Sequence, residues 1–312
     1  MIVRRTGKSV DAARSCRLLL QLVLVSLGCV LWGCSESPSS PKNSVHEPSD
    51  SHPRPDLHHR IVSLSPAITR GLVDLGLESC IVGRSAYCTA VDDAIPVIGD
   101  LHTVGFEILV RVDPTHVLLQ QTASASSDLM QLAEEHEWSV TAWPLSSIDE
   151  IAAMVRSARQ LFSDVDDVES RADAWLNRLD DLTRQTDRHN SYAGRVLLAS
   201  RGEPVLAFGA GTYLEDLLKM MGAQNAIDDA GWISLSLEDV AQINPDAIII
   251  ISEVHVDVVN EILYTIDTRA RKNRRIAALV DTDINLPSTS VLNVADALHT
   301  ILMQWQQDAE RQ

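Results

Sequence analysis

Two glutamates, Glu107 and Glu238, occupy equivalent places in two similar stretches of the sequence. The first stretch reads FEILVRVDPTHVLL (106–119) and the second reads LEDVAQINPDAIII (237–250). In each, a glutamate opens a short helical run, a proline stops it, and an aliphatic run follows. A carboxylate in a first helical turn can stabilise its own helix or meet cationic groups on a partner. The repetition predicts two equivalent substructures, each carrying one such carboxylate.

The prolines of the two stretches set the boundaries of the elements around them. Proline disfavours helix in the residue before it, so we expect the helices to end at Asp113 and Asn244. The aliphatic runs that follow suit strands that are covered on both faces. Each stretch therefore predicts a short helix followed directly by a buried strand.

The rest of the body follows the same alternation. Strand-like and helical runs alternate over 60–146, which favours a parallel sheet built from βαβ units. Residues 147–190 are mostly helical: apolar positions recur at spacings of three and four, and Ser147 with Glu150 predicts a capping box. The alternation resumes over 191–312. We predict an α/β protein with two lobes and a long helix between them.

The N-terminus has the features of an export signal. Basic residues precede the apolar run LLLQLVLVSLGCVLWG (18–33), which is the order typical of a secretory signal. The run ends in LWGC, which resembles the bacterial lipobox with Cys34 as the lipidated residue, although Trp32 is bulky for its place. We expect a signal peptide over 1–33 and a protein held by lipid on the periplasmic side of a bacterial membrane. An uncleaved membrane anchor is the alternative.

The segment after this signal predicts a linker. Residues 34–59 are rich in serine, proline, histidine and charge, and such a segment cannot bury enough apolar surface to fold. Of the five cysteines in the chain, Cys80 and Cys88 are the pair left in the body. They can form a disulfide in an oxidising compartment, or they can remain two buried thiols.

Composition and motifs exclude several functions. The formal net charge is −17, whereas a nucleic-acid surface needs a basic face. The glycines in FGAGTYLEDLL (208–218) lack the third glycine of a dinucleotide-binding motif. No spacing groups a serine, a histidine and an aspartate, so an enzyme is not expected, and a lipid-anchored hydrolase is a remote alternative. We expect no resident cofactor.

Several motifs resemble one family in their order and spacing. RIVSLSPAIT (60–69), IVGRSAYC (81–88) and GWISLSLEDVAQINPDAIII (231–250) resemble segments of the periplasmic binding proteins of the vitamin B12 and ferric-siderophore ABC importers. The likeness covers residues 60–306. It implies the class III periplasmic binding protein fold, in which one long helix bridges two Rossmann-like lobes with parallel sheets. It also implies a monomer that delivers its ligand to an ABC permease dimer with its ATPase.

The ligand is expected between the lobes, because open α/β sheets bind ligands beyond the carboxyl ends of their strands. Architecture and resemblance together predict ligand contacts from Ser65, Pro66, Ala67, Tyr87, Asp100, Phe106, Phe208, Trp232 and Asp283. Tyr87 and Trp232 are the strongest candidates, since large rings suit a broad corrin face; simple packing of each ring is the alternative. The expected ligand is cobalamin or another corrinoid. With 4% aromatic residues, a ferric siderophore or haem stays open.

The resemblance also gives the twin glutamates a role. In this family one glutamate on each lobe docks onto arginines of the permease, which implies docking for Glu107 and Glu238. Arg70 departs from the family, which has glutamate at that place. A metal-ion binding protein of the same fold is an alternative, but it needs several converging ligands, and only His102 of the body's histidines falls in a predicted cleft loop. A binding protein without a permease is a further alternative.

Overall fold

The computed structural model describes the chain from residue 58 to residue 311 with short gaps. The described residues are 58–121, 126–186, 192 and 194–311. The predicted signal peptide (1–33), Cys34 and nearly all of the predicted linker lie outside them. Within the described ranges, no helix has the length and apolar character that crossing a membrane requires.

The first lobe is a five-stranded sheet in which every neighbouring pair of strands is parallel. The strand order is β3-β2-β1-β4-β5. Its elements are β1 (Ile61–Ser63), α1 (Pro66–Asp74), β2 (Ile81–Ser85), β3 (Val97–Gly99), α2 (Phe106–Val112), β4 (His116–Gln120), α3 (Ser127–Glu135) and β5 (Ser139–Trp143). The parallel sheet predicted for this lobe is confirmed.

Two helices connect the lobes, α4 (Ile148–Leu161) and α5 (Val168–Thr186). The predicted capping box is present: Ser147 accepts from the backbone N–H of Glu150, and the Glu150 side chain accepts from the backbone of Ser147. The 19 residues of α5 give a length of about 28 Å at 1.5 Å per residue. The helix therefore has the length to reach from one lobe to the other.

Helix α5 makes contacts with both lobes. On the first-lobe side, Arg171 donates from Nη1 to the carbonyl of Asp74 at the end of α1, at 3.4 Å. On the second-lobe side, Trp175 Nε1 donates to the carbonyl of Thr289 at 2.9 Å. The same helix thus ties the two lobes together, as the predicted bridging helix would.

The second lobe contains a six-stranded sheet with the order β11-β10-β6-β7-β9, in which β8 pairs with β6. A short 3₁₀ turn, Val258–Asn260, precedes α8. The elements are β6 (Arg195–Ser200), β7 (Val205–Phe208), α6 (Tyr213–Met220), β8 (Gln224–Asn225), β9 (Trp232–Leu235), α7 (Leu237–Ile243), β10 (Ala247–Ser252), α8 (Ile262–Thr265), α9 (Arg269–Lys272), β11 (Ile276–Val280) and α10 (Val291–Glu310).

The second sheet corrects one detail of the sequence prediction. The α/β class is confirmed, but β7 runs antiparallel to both β6 and β9, so this sheet is mixed where we expected a parallel one. The connection from β6 to β7 is the short segment 201–204. Such a segment can turn a hairpin but is too short for the crossover that parallel strands require.

The buried apolar residues explain how the lobes are held. One continuous cluster draws on both sheets and on the helices between them, and two smaller clusters lie within single lobes. Members of the shared cluster include Ile61, Leu72, Met154, Val155, Ala172, Val196, Leu198, Leu279 and Leu298. Because close-packed interiors resist small displacements, a core shared in this way limits the relative motion of the lobes.

Candidate ligand-binding cleft

A cleft of about 650 Å³ lies between the two lobes. Its first-lobe side follows the carboxyl ends of β1, β2, β3, β4 and β5, as expected for an open α/β sheet. That side is lined by Pro66, Ala67, Tyr87, Asp100, Leu101, His102, Gln120, Leu145 and Ser146. The second-lobe side is lined by Gly211, Thr212, Tyr213, Gly231, Trp232, Asn285, Leu286 and Pro287.

The two aromatic residues favoured from sequence face this cleft from opposite lobes. The side chain of Tyr87 is 72% exposed and that of Trp232 is 50% exposed, which is unusual for large apolar groups in a folded body. Trp232 leans on the fully buried ring of Phe208, with ring centroids 4.7 Å apart. Phe208 therefore supports Trp232 from behind and is not itself one of the lining residues.

Asp100 shapes the loop after β3. Its Oδ1 accepts from the backbone N–H groups of His102 and Thr103, each at 2.8 Å, and from the Thr103 hydroxyl at 3.0 Å. These hydrogen bonds hold the pKa of the Asp100 carboxyl below its ordinary value. The preceding Gly99 is required here, since a Cβ would stand 2.1 Å from the Thr103 carbonyl oxygen. The turn presents Leu101 and His102 to the cleft.

Ser65 acts behind the lining surface. It is fully buried, caps α1 by accepting from the backbone N–H of Ile68 at 3.5 Å, and donates from Oγ to Oε1 of Gln120 at 2.9 Å. Pro66 and Ala67, the first residues of α1, do line the cleft. Ser65 therefore positions Gln120, a lining residue that the sequence did not single out.

Two predicted ligand contacts lie elsewhere. Phe106, the first residue of α2, is half-buried against an apolar cluster of the first lobe, because its ring packs towards the sheet. Asp283 Oδ2 lies 3.6 Å from Arg70 Nε. This ion pair holds the Asp283 carboxylate against Arg70 of the first lobe. Neither residue is among those lining the cleft.

The Arg70–Asp283 pair belongs to a polar junction between the lobes. Arg70 Nη2 also lies 2.5 Å from Asp74 Oδ1, and the Thr289 hydroxyl donates to Asp74 Oδ2 at 2.5 Å. Partial burial raises the pKa of the Asp283 carboxyl, and the Arg70 charge opposes that rise. Arg70, which departs from the family pattern, thus has a structural partner of its own in the second lobe.

Several lining residues escaped the sequence analysis. The segment Asn285–Pro287 follows β11, and its place is held by Tyr213, whose buried hydroxyl donates to the Ile284 carbonyl at 2.6 Å. Burial raises the pKa of Tyr213, so the phenol stays protonated. The available signal was positional: Asn285–Pro287 follow β11, Gly211 and Thr212 follow β7, and Tyr213 begins α6.

Glu107 and Glu238 occupy matching surface positions. Each is the second residue of a seven-residue helix, α2 and α7, and each is exposed. Both helices end at a left-handed residue, Asp113 with φ 46° and Asn244 with φ 47°. Neither glutamate side chain forms an ion pair or hydrogen bond with any residue in the described part of the chain. Both carboxylates therefore face solvent.

The described residues contain neither a disulfide nor a cluster of metal ligands. Cys80 and Cys88 are buried free thiols and do not form a disulfide. Burial raises the pKa of the Cys80 thiol. Among the described residues, no group of three or more histidine, cysteine or carboxylate side chains is arranged to hold a metal ion.

Solved structures share this two-lobed fold. The periplasmic vitamin B12 binding protein BtuF of Vibrio cholerae is 19% identical with a TM-score of 0.66, over 80% of this chain and 98% of that one. The periplasmic haem binding protein HutB of Vibrio cholerae is also 19% identical with a TM-score of 0.66, over 79% of this chain and 99% of that one. At these identities the likeness shows the fold alone.

Sequence comparison assigns the family. YvrC of Bacillus subtilis (strain 168), described as an uncharacterized ABC transporter substrate-binding lipoprotein, is 26% identical over 210 residues, which is 61% of this chain. The match spans 62% of that relative, so the chain covers less than two thirds of its length. The family model described as "Periplasmic binding protein" matches residues 61–279. The chain belongs to the periplasmic binding protein family.

Proposed function

We propose that this protein is the solute-binding component of an ABC importer, and that it captures a corrinoid such as cobalamin between its lobes. The observation that carries the proposal is the pair of exposed rings, Tyr87 and Trp232, that face one cleft from opposite lobes. Aromatic rings with polar edges suit a broad, mostly apolar ligand whose rim carries amides. YvrC, named as a substrate-binding lipoprotein of an ABC transporter, supports the importer role.

The charge of the cleft favours a corrinoid over an anionic siderophore. Among the described lining residues there is no lysine or arginine, and the groups able to carry charge near neutral pH are Asp100 and His102. Ferric catecholate complexes are highly anionic, and burying such a charge without a cation is costly. A corrin ring bordered by neutral amides avoids that cost.

Haem is the second candidate, and a specific observation favours it. The Tyr87 phenol and the His102 imidazole both line the cleft, and tyrosine and histidine are both known axial ligands of haem iron. The lack of a lining cation weighs against it, because haem propionates are anionic. A haemin titration distinguishes the two ligands: an axial bond from Tyr87 shifts the haem absorption bands, and Tyr87→Phe removes that shift.

Delivery to a permease is assigned to Glu107 and Glu238. Both are exposed and lack partners among the described residues, and each stands on its own lobe at the start of an equivalent helix. Two separated carboxylates match the two equivalent halves of a permease dimer, and charge complementarity of this kind sets encounter rate and register. An ATPase attached to the permease then drives the import. The protein is proposed to act as a monomer.

The lipid anchor at Cys34 completes the proposal, placing the body on the periplasmic side of the membrane. Its support is the motif LWGC together with the description of the relative YvrC as a lipoprotein. Metabolic labelling with a fatty acid tests it: wild type should take up label and Cys34→Ser should not. Equal labelling of both would reject the anchor.

Uptake of labelled cobalamin tests the importer role in cells. Cells lacking this gene should accumulate less label than the parent strain, and the intact gene should restore uptake. Unchanged uptake after deletion, in a strain without a second cobalamin importer, would reject corrinoid import while leaving the fold and family intact.

A further inference from the structure

A second concave surface lies in the second lobe, away from the ligand cleft. It has a volume of about 430 Å³ and forms where the loop between α9 and β11 meets the end of α10. We name it the arginine cleft, after the lining residues Arg274, Arg275 and Arg311. The loop precedes β11, whereas the ligand-cleft segment Asn285–Pro287 follows it. The two clefts therefore lie at opposite ends of this strand.

The arginine cleft stands out against its own neighbours. The run RARKNRR (269–275) is basic at every position except Ala270 and Asn273. On its outer side, Arg269 Nη1 lies 3.2 Å from Asp246 Oδ1 and Lys272 Nζ lies 3.1 Å from Asp267 Oδ1. In contrast, neither Arg274 nor Arg311 forms an ion pair with any residue that the structure describes. The arginines that line the concavity thus lack ion-pair partners among the described residues, as does Arg271, whose Nη1 donates to the carbonyl of Thr265 instead.

Two aromatic rings lie beside Arg275, and one of them, Trp305, lines the cleft. Arg275 Nη1 donates to the Tyr192 hydroxyl at 3.0 Å, and its guanidinium carbon lies 5.2 Å from the centre of the Tyr192 ring. That ring packs at 6.0 Å from the ring of Trp305, which is 8% exposed. Arg275 is therefore held in place by a neutral group, and it forms no ion pair with any described residue.

We propose that the arginine cleft binds a phosphate-bearing anion. A guanidinium is planar, stays charged and matches the geometry of phosphate oxygens with paired donors. The chain carries a net charge of −17, so carboxylates are abundant, yet three guanidiniums gather in one concavity with Asp308 as the one carboxylate lining it among the described residues. Such clustering in a concave surface focuses positive potential on a small anion.

This phosphate chemistry has two sources in the cell envelope, and two probes separate them. Inorganic pyrophosphate represents a soluble phosphorylated compound, and glycerophosphoglycerol represents the headgroup of an anionic phospholipid. Each is titrated calorimetrically into the full-length protein purified in detergent. We expect saturable binding of at least one probe, weakened by added salt because the contacts are ionic. Binding of pyrophosphate alone indicates the soluble source, and binding of the headgroup indicates the lipid.

Substitution localises the binding. In Arg274→Gln/Arg311→Gln we expect the Kd to rise at least about tenfold, since hydrogen bonds to charged groups contribute strongly. Arg275 is left in place because it holds Tyr192. The matched control, Arg111→Gln/Arg156→Gln, removes the same charge from two exposed arginines outside the arginine cleft and should bind as wild type does, with melting curves confirming that both variants fold. Failure of wild type to bind either probe, or equal binding by the arginine-cleft variant, would overturn the proposal.

Discussion

The helices α2 and α7, which carry Glu107 and Glu238, end alike but begin differently. Both are seven residues long and stop at a left-handed residue before a proline. Helix α7 begins at Ser236 with a complete capping box formed with Asp239, whereas α2 begins at Gly105, which has no side-chain cap. Local stability therefore has different sources in the two lobes. Both lobes carry an exposed glutamate without a partner among the described residues. Neither helix needs this glutamate for its cap.

The sheets behind these helices differ in the same way. All neighbouring strands of the first-lobe sheet are parallel. In the second-lobe sheet, β7 runs antiparallel to both β6 and β9. Yet each lobe brings one exposed ring to the cleft, Tyr87 from the first and Trp232 from the second. Features that recur in lobes built differently are the ones we assign to function.

The shared glutamates give the largest expected effect. Glu107→Ala/Glu238→Ala should reduce cobalamin uptake by cells to the level of the deletion strain, because both carboxylates that we propose for docking are lost. Cobalamin binding by the purified variant should be unchanged. The control Glu134→Ala/Glu203→Ala removes one exposed acidic residue from each lobe and should retain uptake. Normal uptake by the first variant would show that these glutamates serve their helices only.

The shared rings give the next effect, and they should be unequal. Trp232→Ala should raise the Kd for cobalamin about thirtyfold, as expected for a large aromatic contact residue. Tyr87→Ala should raise it about tenfold, because a smaller ring is lost. Isothermal titration measures both, with Met130→Ala as the control, since Met130 is exposed but lies outside the cleft. If either ring can be removed without change in Kd, the ligand does not span both lobes.

The differing caps predict a smaller effect confined to one lobe. Ser236→Ala should lower the free energy of unfolding by about 1 kcal/mol, the usual cost of losing a side-chain cap. Chemical denaturation measures this, and Ser234→Ala, two residues earlier on the exposed side of β9, is the control. Equal unfolding free energies for Ser236→Ala and wild type would mean that the capping box does not stabilise α7.

The smallest expected effect comes from the Arg70–Asp283 junction between the lobes. It concerns how the free energy of unfolding depends on pH. Partial burial raises the pKa of Asp283 in the folded protein. A carboxyl with a raised folded-state pKa binds its proton more readily when folded, so its unfavourable contribution grows as pH rises from the unfolded-state pKa to the folded-state pKa and is absent below both. Asp283→Asn should therefore flatten the decline in stability between acidic and neutral pH. Asp180→Asn on α5 should not, and an unchanged pH profile for Asp283→Asn would contradict this account.

Much of the fold was predictable because its signals are local. Pro66 begins α1, Ser147 and Glu150 cap α4, and the prolines after Asp113 and Asn244 mark the ends of α2 and α7. Each of these signals depends on residues a few positions apart in the chain. The antiparallel course of β7 was not predicted, because it depends on the pairing that the short connection 201–204 allows between β6 and β7 in the folded lobe.

The position of the cleft was predictable from the sequence, but only some of its lining residues were. The rule that ligands lie beyond strand ends brought Pro66, Ala67, Tyr87 and Asp100 to the same cleft, whereas Trp232 lines it as the first residue of β9 and not beyond a carboxyl end. It failed where a side chain turns away from the strand end. Phe106 packs against the apolar cluster of the first lobe, and Asp283 forms an ion pair with Arg70 of the other lobe. Such choices depend on tertiary partners that spacing in the sequence does not reveal.

A calorimetric titration of the full-length protein with cobalamin, haemin and a ferric catecholate siderophore tests the central claim most directly. The account predicts saturable binding of one cobalamin per protein molecule, little or no binding of the anionic siderophore, and loss of cobalamin binding in Tyr87→Ala/Trp232→Ala. Absence of cobalamin binding, or equal affinity of the double variant and wild type, would contradict capture of a corrinoid between the two rings.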